Sequence, residues 1–308
     1  MTKDRSAVRI AKLKRRHDDG FTPSLNLYQK AFRRIRSDRP TLLAMAVLVV
    51  FVLLALFAPF LSETIFQVDQ VTQAVRNKYL PLFSEGHVLG TDELGRDHLS
   101  RLLYGGRISL GIGGAAAVLS LGIGIVVGVF AGFYGGIADD LINWFMITLN
   151  SIPGLYLLII ITTLLSPAPL TLVLIFGMLG WTGTTRLVRA ETYSIKEREY
   201  IIAARAMGAS NWRIMFIHIV PNIFSLLIIT LSQAIGGLIL AESALSFLGF
   251  GVQPPTPTWG NMLSGGLEYA RKAPHLVYLP GLLITTTVFC LYLIGDGLRD
   301  AFDPKIAD

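Results

Sequence analysis

Six stretches of this chain are long enough and apolar enough to cross a lipid bilayer. Residues 41–61, 108–131, 141–165, 168–185, 219–241 and 276–294 carry no charged side chain, and about 20 apolar residues suffice for one helical crossing. Inside hydrocarbon, backbone N–H and C=O groups have no water to bond, so a span must satisfy them within its own helix or within a closed barrel. Runs of this length select the helix. The expected fold is therefore all-α, a polytopic membrane helical bundle of six transmembrane helices. Composition agrees: of 308 residues 52% are hydrophobic and 16% charged, with mean hydropathy +0.56, where soluble domains carry about 25% charged residues. The polar sequence between the spans is too short for a large soluble domain.

Charge sets the expected orientation. With both ends placed inside, 20 of the 27 Lys and Arg fall on the inner side, in residues 1–40, 186–220 and the C-terminal tail. Short inside segments are the ones enriched in these residues, so both termini and the 186–218 loop are expected in the cytoplasm. The pI near 9.5 then follows from topology and calls for no nucleic acid. The expected organisation is a cytoplasmic basic tail over 1–40, a six-span domain over 41–299 with an outer segment at 62–107, and a cytoplasmic tail at 300–308. The first span, with its long basic lead-in and core of about twenty residues, reads as a signal anchor; cleavable signals have cores of about 7–15. In that lead-in, Tyr28, Phe32 and Ile35 share one helical face while Lys30, Arg33, Arg34 and Arg36 take the other, the pattern of a helix lying on membrane lipid. Residues 1–22 read as a disordered basic tail. The single cysteine, Cys290, sits inside the last span, so redox compartment is not encoded.

No Gly-x-x-x-x-Gly-Lys-Ser/Thr phosphate loop occurs, so any ATP must be bound by a separate chain. The glycines around 111–114 and 122–136 lie in an uncharged span with no preceding strand, and Gly124, Gly128 and Gly132 recur every four residues on one face. That spacing predicts close helix–helix packing and not a nucleotide site. His87, Asp92, Asp97 and His98 could be drawn as a metal site, but Thr91-Asp92 and Gly95-Arg96-Asp97 read better as turn and cap chemistry, with Arg96 pairing a carboxylate, and no metal is expected. Glu242 closes an otherwise apolar span, where an acid is either a substrate or gate contact or a structural hydrogen bond to the following loop. Asp296, Arg299 and Asp300 read as a solvated, mutually paired helix end. The third span is interrupted near its middle by Asn150, Ser151 and Pro153. Proline removes a backbone hydrogen bond and predicts a kink. Polar groups at a broken mid-membrane helix mark either a transport path or a kink satisfied by its neighbours.

Residues 199–222, EYIIAARAMGASNWRIMFIHIVPN, form a basic, helix-forming stretch between two spans, a natural meeting place for a soluble partner. Ala203-Ala204, Gly208 and Pro221 resemble the cytoplasmic coupling motif of ATP-binding-cassette importer permeases, with Ile202 where that motif has Glu and Val220 where it has Leu. The segments 87–110, 241–263 and 295–304 are similar, in order, to the second (C-type) permease subunit of dipeptide, oligopeptide and nickel importers. The resemblance covers about residues 25–306. It implies a type I importer permease fold, with Ala203, Ala204, Gly208, Ala209 and Pro221 engaging the ATPase and Asn150, Ser151, Pro153 and Glu242 considered for the translocation path. It also implies a homologous second permease, two ATP-binding-cassette ATPases that carry the ATP and magnesium, and an extracytoplasmic substrate-binding protein. This chain itself is expected to hold no cofactor, in a bacterial or archaeal plasma membrane. Peptides are the favoured cargo, nickel the alternative.

Two other classes fit less well. An intramembrane enzyme needs paired acids, a Ser/Lys or Ser/His pair or HExxH within spans, and none is present. A stand-alone transporter explains six spans but not the partner-binding loop.

Overall fold

The computed structural model describes residues 27–303. The tail expected at 1–22, the Tyr28 side chain and residues 304–308 lie outside the described residues. Among these, the only β features are two isolated bridges, Ser84 with His87 and Thr91 with Asp97; the rest is helices and loops.

A short helix α1 (Leu27–Ser37) meets the first span α2 (Arg39–Leu56) at Asp38, which stands at the N-cap of α2 and accepts a hydrogen bond from the Thr41 hydroxyl. Pro40 is tolerated because the first turn of a helix has no partner for its N–H. The expected polar face of α1 is only partly free. Ala31 is buried and Arg34 donates to the Asp303 carbonyl at 2.9 Å, so α1 packs on the end of the last helix. Phe32 stays 69% exposed, and Lys30, Arg33 and Arg36 are exposed.

After an irregular outer segment, Asp97 caps α3 (His98–Tyr134) by accepting the Ser100 N–H at 2.7 Å. At 1.5 Å per residue this helix is roughly 55 Å long and overhangs a hydrocarbon core of about 30 Å. It is followed by α4 (Gly136–Asn150), α5 (Gly154–Leu164), α6 (Pro169–Lys196), α7 (Glu199–Ala206), α8 (Asn211–Phe247), α9 (Trp259–Leu267) and α10 (His275–Phe302). Five helices are long and apolar enough to span, and α4 with α5 makes the sixth as a pair bent by 81°. The expected kink in the third span is thus a full break: Pro153 stands as the N-cap of α5 and interrupts no continuous helix.

The most extensive helix pairing is α3 with α6, built on the glycine repeat. A Cβ on Gly124, Gly128 or Gly132 would come within 2.5, 2.8 and 2.7 Å of Thr184, Val188 and Thr192 Cβ atoms respectively. Small residues let the backbones approach this closely. Around this pair, Val129, Val188, Ile195, Ile201, Ile214, Met215 and Ile219 form a core under the α7 loop, while Ile112, Leu172, Phe176 and Leu245 form another between α3, α6 and α8.

Residues 186–196, placed at the start of the inner loop, are helical and continue α6. Asp296, Arg299 and Asp300 are exposed as expected of a solvated helix end, but among the described residues no ion pair joins them, so the expected mutual pairing is absent there.

Candidate coupling surface and translocation cleft

The α7–α8 connection is a compact, outward-facing hairpin. Helix α7 closes when the Gly208 N–H donates to the Arg205 carbonyl and the Ala209 N–H donates to the Ala204 carbonyl, both at 3.0 Å, with Gly208 at φ +81°. This is a Schellman ending, in which a left-handed residue lets two N–H groups turn back onto the last carbonyls. Glycine adopts that conformation without a Cβ penalty; the space beside Gly208 is open, so backbone conformation and not crowding requires it. Ser210 then starts α8 by accepting the Arg213 N–H at 3.4 Å.

The two alanines of the motif divide their work. Ala204 is buried, beside fully buried Ile201, and ties α7 to the bundle; Ala203 faces outward with Ile202, Met207 and Gly208. Ala209 is half-buried against the core under the loop. Trp212, 61% exposed, stacks on Phe216 with ring centroids 4.9 Å apart. Pro221 is exposed and sits where α8 passes from a wide π-helical turn at Ile214–Ile219 into a tight one at Val220–Ile223. A proline within a helix loses its N–H bond and its ring pushes away the carbonyl four residues earlier. Asn222 donates to the nearby His218 carbonyl at 2.7 Å.

The break between α4 and α5 opens a cleft of about 280 Å³, with Asn150, Pro153 and Gly154 on one wall, Leu179 and Thr182 of α6 on another, and Leu238 and Ala241 of α8 on a third. Asn150 donates to the Met146 carbonyl at 2.6 Å and accepts from Thr182 at 3.4 Å. Ser151 is exposed and bonds back to Thr148 at 2.7 Å, without lining the cleft. At its other end α4 is latched to α6. Asp139 accepts two donors from Arg189, the second at 2.5 Å, and the Tyr193 hydroxyl at 2.8 Å. Sequence reasoning missed this latch, because its members are 50 or more positions apart and Asp139 looks like an ordinary helix-start acid.

Glu242 is fully buried and outside the cleft lining. It accepts from Ser109 of α3 at 3.1 Å and from Ser246 at 2.7 Å. In the outer segment His87 bonds Asp97 at 2.9 Å, while Asp92 takes Arg96 at 2.6 Å and Arg101 at 3.3 Å. His98 instead packs edge-on against His275, centroids 5.8 Å apart. Of the four side chains considered for a metal, only His87 and Asp97 meet each other, while Asp92 is taken by arginines and His98 packs on His275. Among the described residues no three His, Cys, Asp or Glu gather as a metal set.

Residues 124–308 match the family model described as binding-protein-dependent transport system inner membrane component, and residues 26–81 match the N-terminal TM domain of oligopeptide transport permease C. The chain is similar to the oligopeptide transport system permease protein OppC of Bacillus subtilis (strain 168), 36% identical over 92% of this chain and 91% of the relative. It is 38% identical to OppC of Escherichia coli (strain K12) over 91% of this chain and 92% of the relative. The di/tripeptide transport system permease protein DppC of Pseudomonas aeruginosa (strain UCBPP-PA14) is 43% identical over 71% of this chain and 72% of its own length. With spans of this number and length, a matching model over more than half its residues and relatives aligned over nearly its whole length, the chain is a multi-pass membrane permease subunit and belongs to the family of binding-protein-dependent transport system inner membrane components.

Proposed function

We propose that this chain is the permease subunit of an ATP-driven importer of di- and oligopeptides, forming half of the translocation path. The observation that carries the reading is the Gly208 hairpin: the short helix α7 and its tight turn into the long helix α8, anchored from beneath by a buried core, present Ala203, Met207 and Gly208 outward. A surface of that shape fits a groove on a cytoplasmic ATPase. The names of the relatives, oligopeptide and dipeptide permeases, favour peptides over nickel.

In this reading the chain itself performs no chemistry. ATP and magnesium are held by two ATP-binding-cassette ATPases, a second, homologous permease supplies the other half of the path, and an extracytoplasmic binding protein delivers the cargo. The termini and the α7 hairpin face the cytoplasm of a bacterial or archaeal cell, as the excess of Lys and Arg on those segments supports. Closure of the ATPases would move α7, and through Ile201 and Ile214 the inner ends of α3, α6 and α8, of which α6 and α8 also wall the cleft.

The test is reconstitution. The chain alone in lipid should hydrolyse no ATP and take up no peptide, and the four-subunit complex with its binding protein should do both. Hydrolysis by the isolated chain, or uptake of nickel and not of peptide by the complex, would refute the reading.

A further inference from the structure

Helix α6 carries three cations, and two of them are committed. Arg189 is bound to Asp139 and lies over the Tyr193 ring; Lys196 donates to the Gly132 carbonyl at 3.0 Å. Arg186 is exposed and makes no hydrogen bond or ion pair among the described residues. Its position is specific. Leu179 and Thr182, which line the cleft, precede it by seven and four residues, and side chains at such spacings share a helix face. Gly183 and Ala190 on that face are exposed, and nothing lies within 4 Å of a Cβ on Gly183. The α6 wall of the cleft thus continues towards α7 as an uncovered stripe of small residues with one guanidinium in it.

We infer that Arg186 receives the terminal carboxylate of a peptide moving along this cleft; the inference rests on the peptide-import reading above. A guanidinium offers planar paired donors that match a carboxylate, and the terminal carboxylate is the anionic group peptides share whatever their side chains. Asp139, the carboxylate that bonds α6, is already filled by Arg189 and Tyr193.

The experiment uses the complete complex in proteoliposomes with Arg186→Gln and Arg186→Lys. Uptake is followed for a labelled tripeptide with a free C-terminal carboxylate and for its C-terminally amidated counterpart. Each variant is compared with the wild-type complex on the same peptide, so that selection by the binding protein cancels. Arg186→Gln should lower uptake of the free acid roughly five- to tenfold and leave the amidated peptide within about twofold, while Arg186→Lys retains most uptake of both. Equal losses for the two peptides, or no loss for either, would overturn the assignment. So would failure of Arg186→Gln to assemble where Arg186→Lys assembles, because the guanidinium would then belong to a subunit contact. If wild type takes up neither peptide, the peptide-import reading itself fails.

Discussion

The Ser109 hydroxyl donates to Glu242 at 3.1 Å and accepts the Trp259 backbone N–H at 3.2 Å. One hydroxyl therefore joins α3 and α8 to the start of α9, and the only charge in the second half of α8 serves to hold three helices. The Trp259 indole N–H, spent on the Leu102 carbonyl at 3.0 Å, secures the same corner.

Glu242→Ala is expected to destabilise this corner by roughly 2–4 kcal/mol, because Ser109 and Ser246 lose their acceptor in a buried site. Glu242→Gln, which keeps an acceptor oxygen, should recover most of the loss. Thermal unfolding of the detergent-solubilised complex reads the difference. Altered peptide selection with an unchanged midpoint would instead assign Glu242 to the path.

Gly208→Trp should insert and assemble normally yet lose substrate-stimulated ATP hydrolysis. The left-handed backbone at φ +81° costs a non-glycine residue roughly 1–2 kcal/mol, and the ring would stand on the outward face of the hairpin. Gly208→Asn tolerates the conformation and adds little bulk, so it should retain most coupling. Stimulated ATPase rates of the three complexes check this order.

Leu at both Asn150 and Ser151 should leave a well-folded complex with impaired uptake. Asn150 lines the cleft and bonds the Met146 carbonyl and Thr182, whereas leucine is favoured in a span and only removes the polar wall. Uptake per assembled complex is the measurement; normal uptake with poor assembly would make the break purely structural.

Breaking the latch should be costly. Arg189→Met leaves buried Asp139 with only the Tyr193 hydroxyl, a loss of about 3 kcal/mol for a buried pair, reduced here because Arg189 is 27% exposed and partly screened by solvent. The double variant Asp139→Leu with Arg189→Met should be milder than Arg189→Met alone, since no unpaired charge remains. Proteolysis of the α4–α5 segment in the assembled complex reports the loosening.

What the sequence determined by itself was local or periodic. Six uncharged runs specify spans because hydrocarbon forbids unpaired backbone. The four-residue glycine repeat specifies close packing because one helical face returns at nearly that interval. The helix-forming stretch 199–222 between two uncharged runs specifies a loop helix there, whereas its ending at Gly208 and the cap at Ser210 are seen in the structure. The Thr91-to-Asp97 turn chemistry was legible because its partners lie within a few residues. Tertiary structure decided the rest. Pro153 reveals that a hydrogen bond is lost but not that the span folds back by 81°, since the angle depends on where α6 and α8 leave room. Whether Ala203 or Ala204 faces outward, whether Glu242 meets water or Ser109, and whether Asp139 finds Arg189 all depend on helices distant in the chain. Their side chains have the same local context in either outcome, and only the packed bundle supplies the partner that chooses between them.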